Sequence, residues 1–202
     1  MGVFIVLEGG DASGKSTQTR LLVERLRRLG RDVVETFEPG ATRDGAAIRA
    51  LLLDGDGPID AKTEALLLAA DRAQEVAEVI RPALRRGADV VSDRFVPSSL
   101  AYQGVGRGFG VEAVEKLNRW ATGDLDPDLV VVLDVDDGVA RSRRAEPGDR
   151  LERAGDRFHA AVRDAYRTLA AERDWVVLDG DADVRTVAGR VWDVVQERFG
   201  LL

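Results

Sequence analysis

The sequence predicts an α/β fold in which helices cover both faces of a parallel sheet, and three observations carry that prediction. Five apolar, β-rich runs alternate with amphipathic helical patterns along the chain, the arrangement of a parallel sheet buried on both sides. The first such run leads into a glycine-rich loop, GGDASGKST at 9–17, which leads straight into a helical pattern. The chain is 202 residues long, 45% hydrophobic and 32% charged, which is enough to bury a core within one domain.

The first predicted strand is VFIVL at 3–7, closed by Glu8. Gly9, Gly14, Lys15 and Ser16 then fill GxxxxGK(S/T), the pattern of a loop that wraps nucleotide phosphates. Glycines let backbone N–H groups turn inward, and the helix predicted at 15–29 aims its N-terminus at the anion. Lys15 can reach the outer phosphates and Ser16 can hold a magnesium ion. Gly10, Asp11, Ala12 and Ser13 occupy the variable loop positions and Thr17 follows the motif. Asp11 is an acid among phosphate-binding amides and needs a cation or a donor to satisfy it.

The second strand, predicted at 32–37, ends in FEPGAT, where Pro39 and Gly40 set a tight bend after Glu38. Helical patterns follow at 46–53 and 61–86. The longer one carries Asp71, Arg72 and Gln74 on an otherwise apolar face, where they form an internal network or touch a ligand. The third strand, 89–92, runs into Asp93, a strand-end carboxylate of the kind that holds hydrated Mg²⁺ beside a phosphate loop. Arg94 follows, with a planar guanidinium that can bind a phosphate by two parallel bonds. The competing reading of Asp93 and Arg94 is a strand-end ion pair. Ser98, Ser99, Tyr102 and Gln103 come next at spacings that put several on one face, which suits recognition of a base or sugar.

A helix at 111–122, a fourth strand at 129–135 and a helix at 137–144 lead into an arginine-rich stretch at 141–157. There Arg141, Arg143, Arg144, Arg150, Arg153 and Arg157 surround Pro147 and Gly148. Arginines on a hinged segment suit a lid that closes on a transferring phosphoryl group. The alternative is an exposed loop salt-bridged to Glu146, Asp149, Glu152 and Asp156. A helix at 156–173, a fifth strand at 175–178 and a helix at 184–199 complete the pattern. His159, the single histidine, reads as a surface or core residue, and Trp120, Trp175 and Trp192 as packing residues.

Composition narrows the function. The net charge is −7, which argues against nucleic acid as the main ligand. Without cysteine there is no disulfide framework and no thiolate metal site. The stretch MGVFIVLEGG has no basic leader and no apolar run approaches a membrane span, so a soluble cytoplasmic protein without a membrane partner is expected. Lys15, Lys62 and Lys116 are the only lysines. Arginine-dominated, acidic composition fits a GC-rich genome or a high-salt cytoplasm; a KCl-independent unfolding midpoint would sink the second.

EGGDASGKST, EPGAT, LLLAADRAQE, SDRFVPSSLAYQG and DRLE occur in the order and spacing of thymidylate kinases, and the resemblance spans nearly the whole chain. It implies a three-layer P-loop NTPase fold with a five-stranded parallel sheet, ATP-dependent phosphorylation of dTMP to dTDP with Mg²⁺, and a homodimer. Lys15 and Ser16 would serve ATP and magnesium, with Asp93 acting on magnesium through water. Asp11 and Arg94 would orient the phosphate and sugar of dTMP, and Arg49 would reach the same phosphate. Arg72 would hydrogen-bond thymine, with Ser99, Tyr102 and Gln103 lining its pocket beside Glu38 and Pro39. Asp181 and Ala182, within 179–184, would border adenine.

Members of that family carry a catalytic arginine either in the phosphate loop or in the lid. The loop has none here, so the resemblance points to Arg150, and next to Arg143 or Arg144. Three positions depart from the family pattern: Phe37 stands for the usual arginine before EPG, Phe95 for a tyrosine, and Leu68 for the aromatic ring expected on thymine. Loss of a stacking ring costs on the order of 1 kcal/mol, which implies weaker or broader base selection. The alternatives are a P-loop kinase for another monophosphate such as dUMP, and a nucleotide-gated switch protein. The switch would leave Asp93, Arg94, Tyr102 and Gln103 idle, and no NKxD guanine-reading segment occurs.

Overall fold

The computed structural model describes residues 2–54, 57–143 and 150–201. In chain order its elements are β1 (Phe4–Glu8), α1 (Lys15–Arg28), β2 (Val33–Phe37), α2 (Arg43–Arg49), α3 (Ala61–Glu75), α4 (Arg81–Arg85), β3 (Asp89–Asp93), α5 (Val96–Ser99), α6 (Val111–Thr122), β4 (Leu129–Asp134), α7 (Asp137–Arg143), α8 (Asp156–Glu172), β5 (Val176–Asp179) and α9 (Val184–Phe199). Wide π turns extend α2 over Ala50–Asp54, join α3 to α4 over Val76–Ile80, and extend α5 over Leu100–Gly106. The helix expected at 61–86 is thus interrupted. Its π turn ends two residues before Pro82, whose ring nitrogen has no hydrogen for the helical ladder. The helix expected from residue 46 starts three residues earlier because the Thr42 side chain caps it, accepting from the Gly45 N–H.

The five strands are parallel in the order β2-β3-β1-β4-β5. Every residue of β1 is buried, whereas the edge strand β5 alternates between half-buried and exposed positions, as the number of covering neighbours requires. Alternate β1 side chains feed opposite cores. Ile5 and Leu7 pack with Leu22, Val23 and Leu26 of α1 and Val187, Val191 and Trp192 of α9. Phe4 and Val6 pack with Val76, Ile80 and Ala83 on the other face, where α8 also covers Val130 and Val132 of β4. Chain direction reverses around β1, since β2 and β3 lie to one side and β4 and β5 to the other. That switch point opens a crevice beyond the carboxyl ends of the strands.

Trp120 departs from the packing role expected of it and is 85% exposed. The buried positions of α6 are Val114, Asn118 and Thr122; residue 120, two places from the middle one, falls on the opposite face. No helix among the described residues is long and apolar enough to cross a membrane.

Candidate active site

The phosphate loop joins β1 to α1 at the switch point. Gly9 has φ 138°, and a Cβ there would stand 2.5 Å from the Leu133 carbonyl oxygen, so the close passage of this loop over β4 requires glycine. Lys15 is buried and donates to the Gly10 carbonyl at 2.7 Å. Burial, with Arg94 nearby, holds its ammonium down to about 8, partly offset by Asp93, Asp11 and Glu8. A phosphate anion would supply the missing counter-charge.

Ser16 and Asp93 meet as their order in the sequence predicts. Ser16 Oγ donates to Asp93 Oδ2 at 2.5 Å, while Asp93 Oδ1 is buried and accepts no hydrogen bond. A hydroxyl and a carboxylate with an unspent oxygen are the hard donors magnesium takes, usually completed by water. The residues present therefore fit the ion.

Arg94 does not pair with its neighbour Asp93. The turn after β3 gives it φ 78°, an unusual conformation for a bulky residue, and swings its side chain back to the phosphate loop. Nη2 donates to Asp11 Oδ1 at 2.5 Å and Nη1 to Ser98 Oγ at 3.0 Å. Burial alone would raise the Asp11 carboxyl, but Arg94 and then Lys15 outweigh it and hold it below the ordinary value.

Arg72 is 1% exposed and its five N–H groups are all engaged. Nε reaches both oxygens of Glu38 at 3.0 Å, Nη2 donates to Glu38 Oε2 at 2.5 Å and to the Phe95 carbonyl at 3.0 Å, and Nη1 donates to Ser99 Oγ at 2.9 Å and to Asn118. Asp71 Oδ1 accepts from the Gly40 N–H at 3.1 Å, and Arg49 Nη1 donates to the Pro39 carbonyl at 2.8 Å, so both tie the FEPGAT bend to the helices. Gln103 donates to Glu64 at 2.9 Å and leaves its buried Oε1 without a partner.

Two large cavities flank the loop. One, of about 370 Å³, is lined by Asp11, Lys15, Glu38, Pro39, Arg49, Leu68, Arg72, Asp93, Arg94, Ser99, Tyr102 and Gln103, with Phe37 and Leu151 at its walls. The other, of about 500 Å³, is lined by residues 12–18 together with Arg143, Gly180, Ala182, Asp183 and Val184. Ala12, Lys15 and Ser16 line both.

Three expected residues sit differently. Asp181 turns its carboxylate to the Asp136 N–H at 3.0 Å and does not line the second cavity; a side chain in a tight loop satisfies nearby backbone first. Arg143 donates to the Gly180 carbonyl at 3.1 Å, inside the second cavity and away from the junction. Arg150 donates to the Leu51 carbonyl at 3.2 Å and lines neither cavity. Arg144 lies outside the described residues.

Other site residues escaped the sequence reading. Glu8, which the sequence places at a strand end, is fully buried and accepts from the Phe95 and Ser98 N–H groups and from the hydroxyls of Ser98 and Tyr166; it fixes the turn that carries Arg94. His159 Nδ1 stands 3.7 Å from Asp11 Oδ2. Its signal was present, since 159, 162, 166 and 169 share one helical face whose other members are buried.

A thymidylate kinase family model matches residues 7–191. A thymidylate kinase of Halothermothrix orenii is 48% identical over 200 residues, covering 96% of this chain and 97% of the relative. That of Leifsonia xyli subsp. xyli is 49% identical over 194 residues, 94% and 92% of the two chains, and that of a Synechococcus strain 48% identical over 201 residues, 98% and 97%.

Proposed function

The chain belongs to the thymidylate kinase family, and on that premise we propose which of its residues carry the ATP-dependent phosphorylation of dTMP to dTDP. The enzyme is a nucleotide phosphotransferase, and the kinase for a different monophosphate and the switch protein are not favoured. One observation carries the assignment: Ala12, Lys15 and Ser16 line both cavities, so two phosphate groups bound on either side of one loop can meet there. The larger cavity takes ATP, with its phosphates along Gly9–Thr17 and adenine near Ala182. The smaller takes dTMP, with Arg94, Asp11 and Arg49 at its phosphate and sugar. Glu38 and Pro39 wall it, Arg72, Ser99, Tyr102 and Gln103 read the base, and Leu68 lies against it.

Ser16, with Asp93 acting through water, would hold Mg²⁺, which would supply positive charge to the transferring phosphoryl group. An oxygen of the acceptor phosphate forms the new bond to the γ-phosphorus as the bond to the departing ADP oxygen breaks. That acceptor is already anionic, so no side chain has to remove a proton, and the protein contributes alignment and charge. Arg94 holds the acceptor anion and Lys15 the outer phosphates of the donor, which offsets their mutual repulsion. The lid at about 141–157, within a single domain 1–202, adds an arginine to the transfer, with Arg150 first and Arg143 or Arg144 next.

We also propose a cytoplasmic homodimer that has no nucleic-acid or membrane partner, formed through apolar positions of 61–86; the 57% exposure of Leu66 on α3 supports this. ADP release measured across a panel of monophosphates, for wild type and Leu68→Phe, tests the reaction and its base selection. dTMP is expected as the best acceptor, with Leu68→Phe lowering its KM. Preference for AMP or CMP would overturn the assignment.

A further inference from the structure

Glu75 is a buried carboxyl that the transfer chemistry does not use. It ends α3, one helical turn beyond Asp71, and is 1% exposed. The Thr36 hydroxyl of β2 donates to its Oε1, and no N–H or O–H group reaches its buried Oε2. The ionisable groups acting on it are Glu38, after β2, and Asp71 on its own helix, while Arg72 of that helix acts on Glu38 and Asp71; α6 adds only the neutral Asn118, bound to Arg72. Arg49 of α2 acts on Asp71. Three carboxyls therefore share one buried region with a single guanidinium, and all five of its N–H groups are spent on Glu38, Ser99, Asn118 and Phe95. None remains for Glu75.

Two ionised carboxylates in contact and out of water are costly unless one keeps its proton. Thr36, whose hydroxyl reaches Glu75, lies in β2 two residues before Glu38 and shares its side of the chain, which brings the Glu38 carboxyl beside Glu75; a contact between two carboxyls becomes a bond only when one holds a hydrogen. Burial raises both groups, but Arg72 pulls Glu38 back while Glu38 pushes Glu75 further up. The proton belongs on Glu75.

We infer that Glu75 is a neutral carboxylic acid that donates its hydrogen to Glu38, and that this bond holds Glu38, and through it Arg72, in the posture that reads the acceptor base. Glu75 is thus a positioning residue, a role that rests on the assignment of Arg72 to dTMP; its proton does not.

Glu75→Gln and Glu75→Ala separate the two. The amide of Glu75→Gln keeps a donor toward Glu38 and an acceptor for Thr36 without a proton to lose. A carboxyl raised on folding loses stability as pH climbs above its unfolded value, so the midpoint of Glu75→Gln should gain on wild type steadily between about pH 5 and about pH 8. Infrared difference spectra at neutral pH should show a protonated-carboxyl band in wild type that Glu75→Gln lacks. Glu75→Ala should raise the dTMP KM about tenfold with little change in the ATP KM, and Glu75→Gln should restore it. A midpoint gap that is flat with pH, together with no protonated-carboxyl band, would show Glu75 ionised and overturn the inference, even if Glu75→Ala fails to fold. If band and slope are present while dTMP kinetics stay unmoved, the proton stands and the base-reading role of Arg72 fails.

Discussion

Arg94 shows how a residue's chemistry depends on where the backbone aims it. The unusual φ of 78° turns the guanidinium away from Asp93, its neighbour in sequence, toward Asp11 and Ser98, and this leaves Asp93 to accept from Ser16. On the proposed assignment of Arg94 to the acceptor phosphate, removing its charge should cost catalysis more than donor binding. Arg94→Ala is expected to lower dTMP turnover by about 100-fold or more while ATP affinity, measured by calorimetry, changes little. Turnover surviving within a few-fold would remove Arg94 from the transfer step. Arg72 belongs to another class: it is wholly buried, so deleting it strands Glu38 and destabilises the fold as well as the site.

At the scale of elements, the FEPGAT bend is held by its contacts with α2 and α3. Gly45, in the first turn of α2, has no room for a side chain, since a Cβ would lie 2.4 Å from Asp71 Oδ1 and 2.8 Å from Thr42 Oγ1. Gly45→Ala should displace the carboxylate that receives the Gly40 N–H, lowering the thermal midpoint and raising the dTMP KM with little effect on the ATP KM. An unchanged midpoint and KM would show that the bend does not depend on Asp71. Arg143 reaches the Gly180 carbonyl in the wall of the second cavity, and Arg150 reaches the Leu51 carbonyl. Arg143→Ala is accordingly expected to raise the ATP KM and Arg150→Ala to lower kcat. The reverse pattern in steady-state kinetics would exchange their roles.

Across the whole molecule, buried acids set the pH dependence of stability. Burial raises Glu8, Asp71, Glu38 and Glu75. The native state then binds more protons than the unfolded chain above the ordinary carboxylate range, so stability falls as pH rises. Asp11, Asp134 and Glu115 are held low by arginines against the opposing effect of burial; their contribution is present above the unfolded values and is lost as pH falls below about 4. Lys15, lowered by burial to about 8, works against the downward trend only above that pH. Thermal midpoints should therefore peak near about pH 5 and decline toward neutrality. A midpoint that rises steadily from pH 5 to 8 would contradict this balance.

By itself the sequence determined the parallel α/β architecture, because unbroken apolar strands and amphipathic helices leave few other ways to bury their faces. It also determined the phosphate loop, because GxxxxGKS is a contiguous backbone device whose chemistry needs no distant partner. Only the tertiary structure decided which carboxylate each arginine meets. Asp11 and Arg94 are 83 residues apart, Glu38 and Arg72 34, and Glu8 and Tyr166 158, and one sequence offers many such pairings. The order in which strands stack and the backbone angle of one turn select among them. Of the buried acid cluster around Arg72 only the adjacent Asp71 is legible in the sequence, and Glu38 and Glu75 are not, for the same reason: charge is local in space, while the sequence records only its order along the chain.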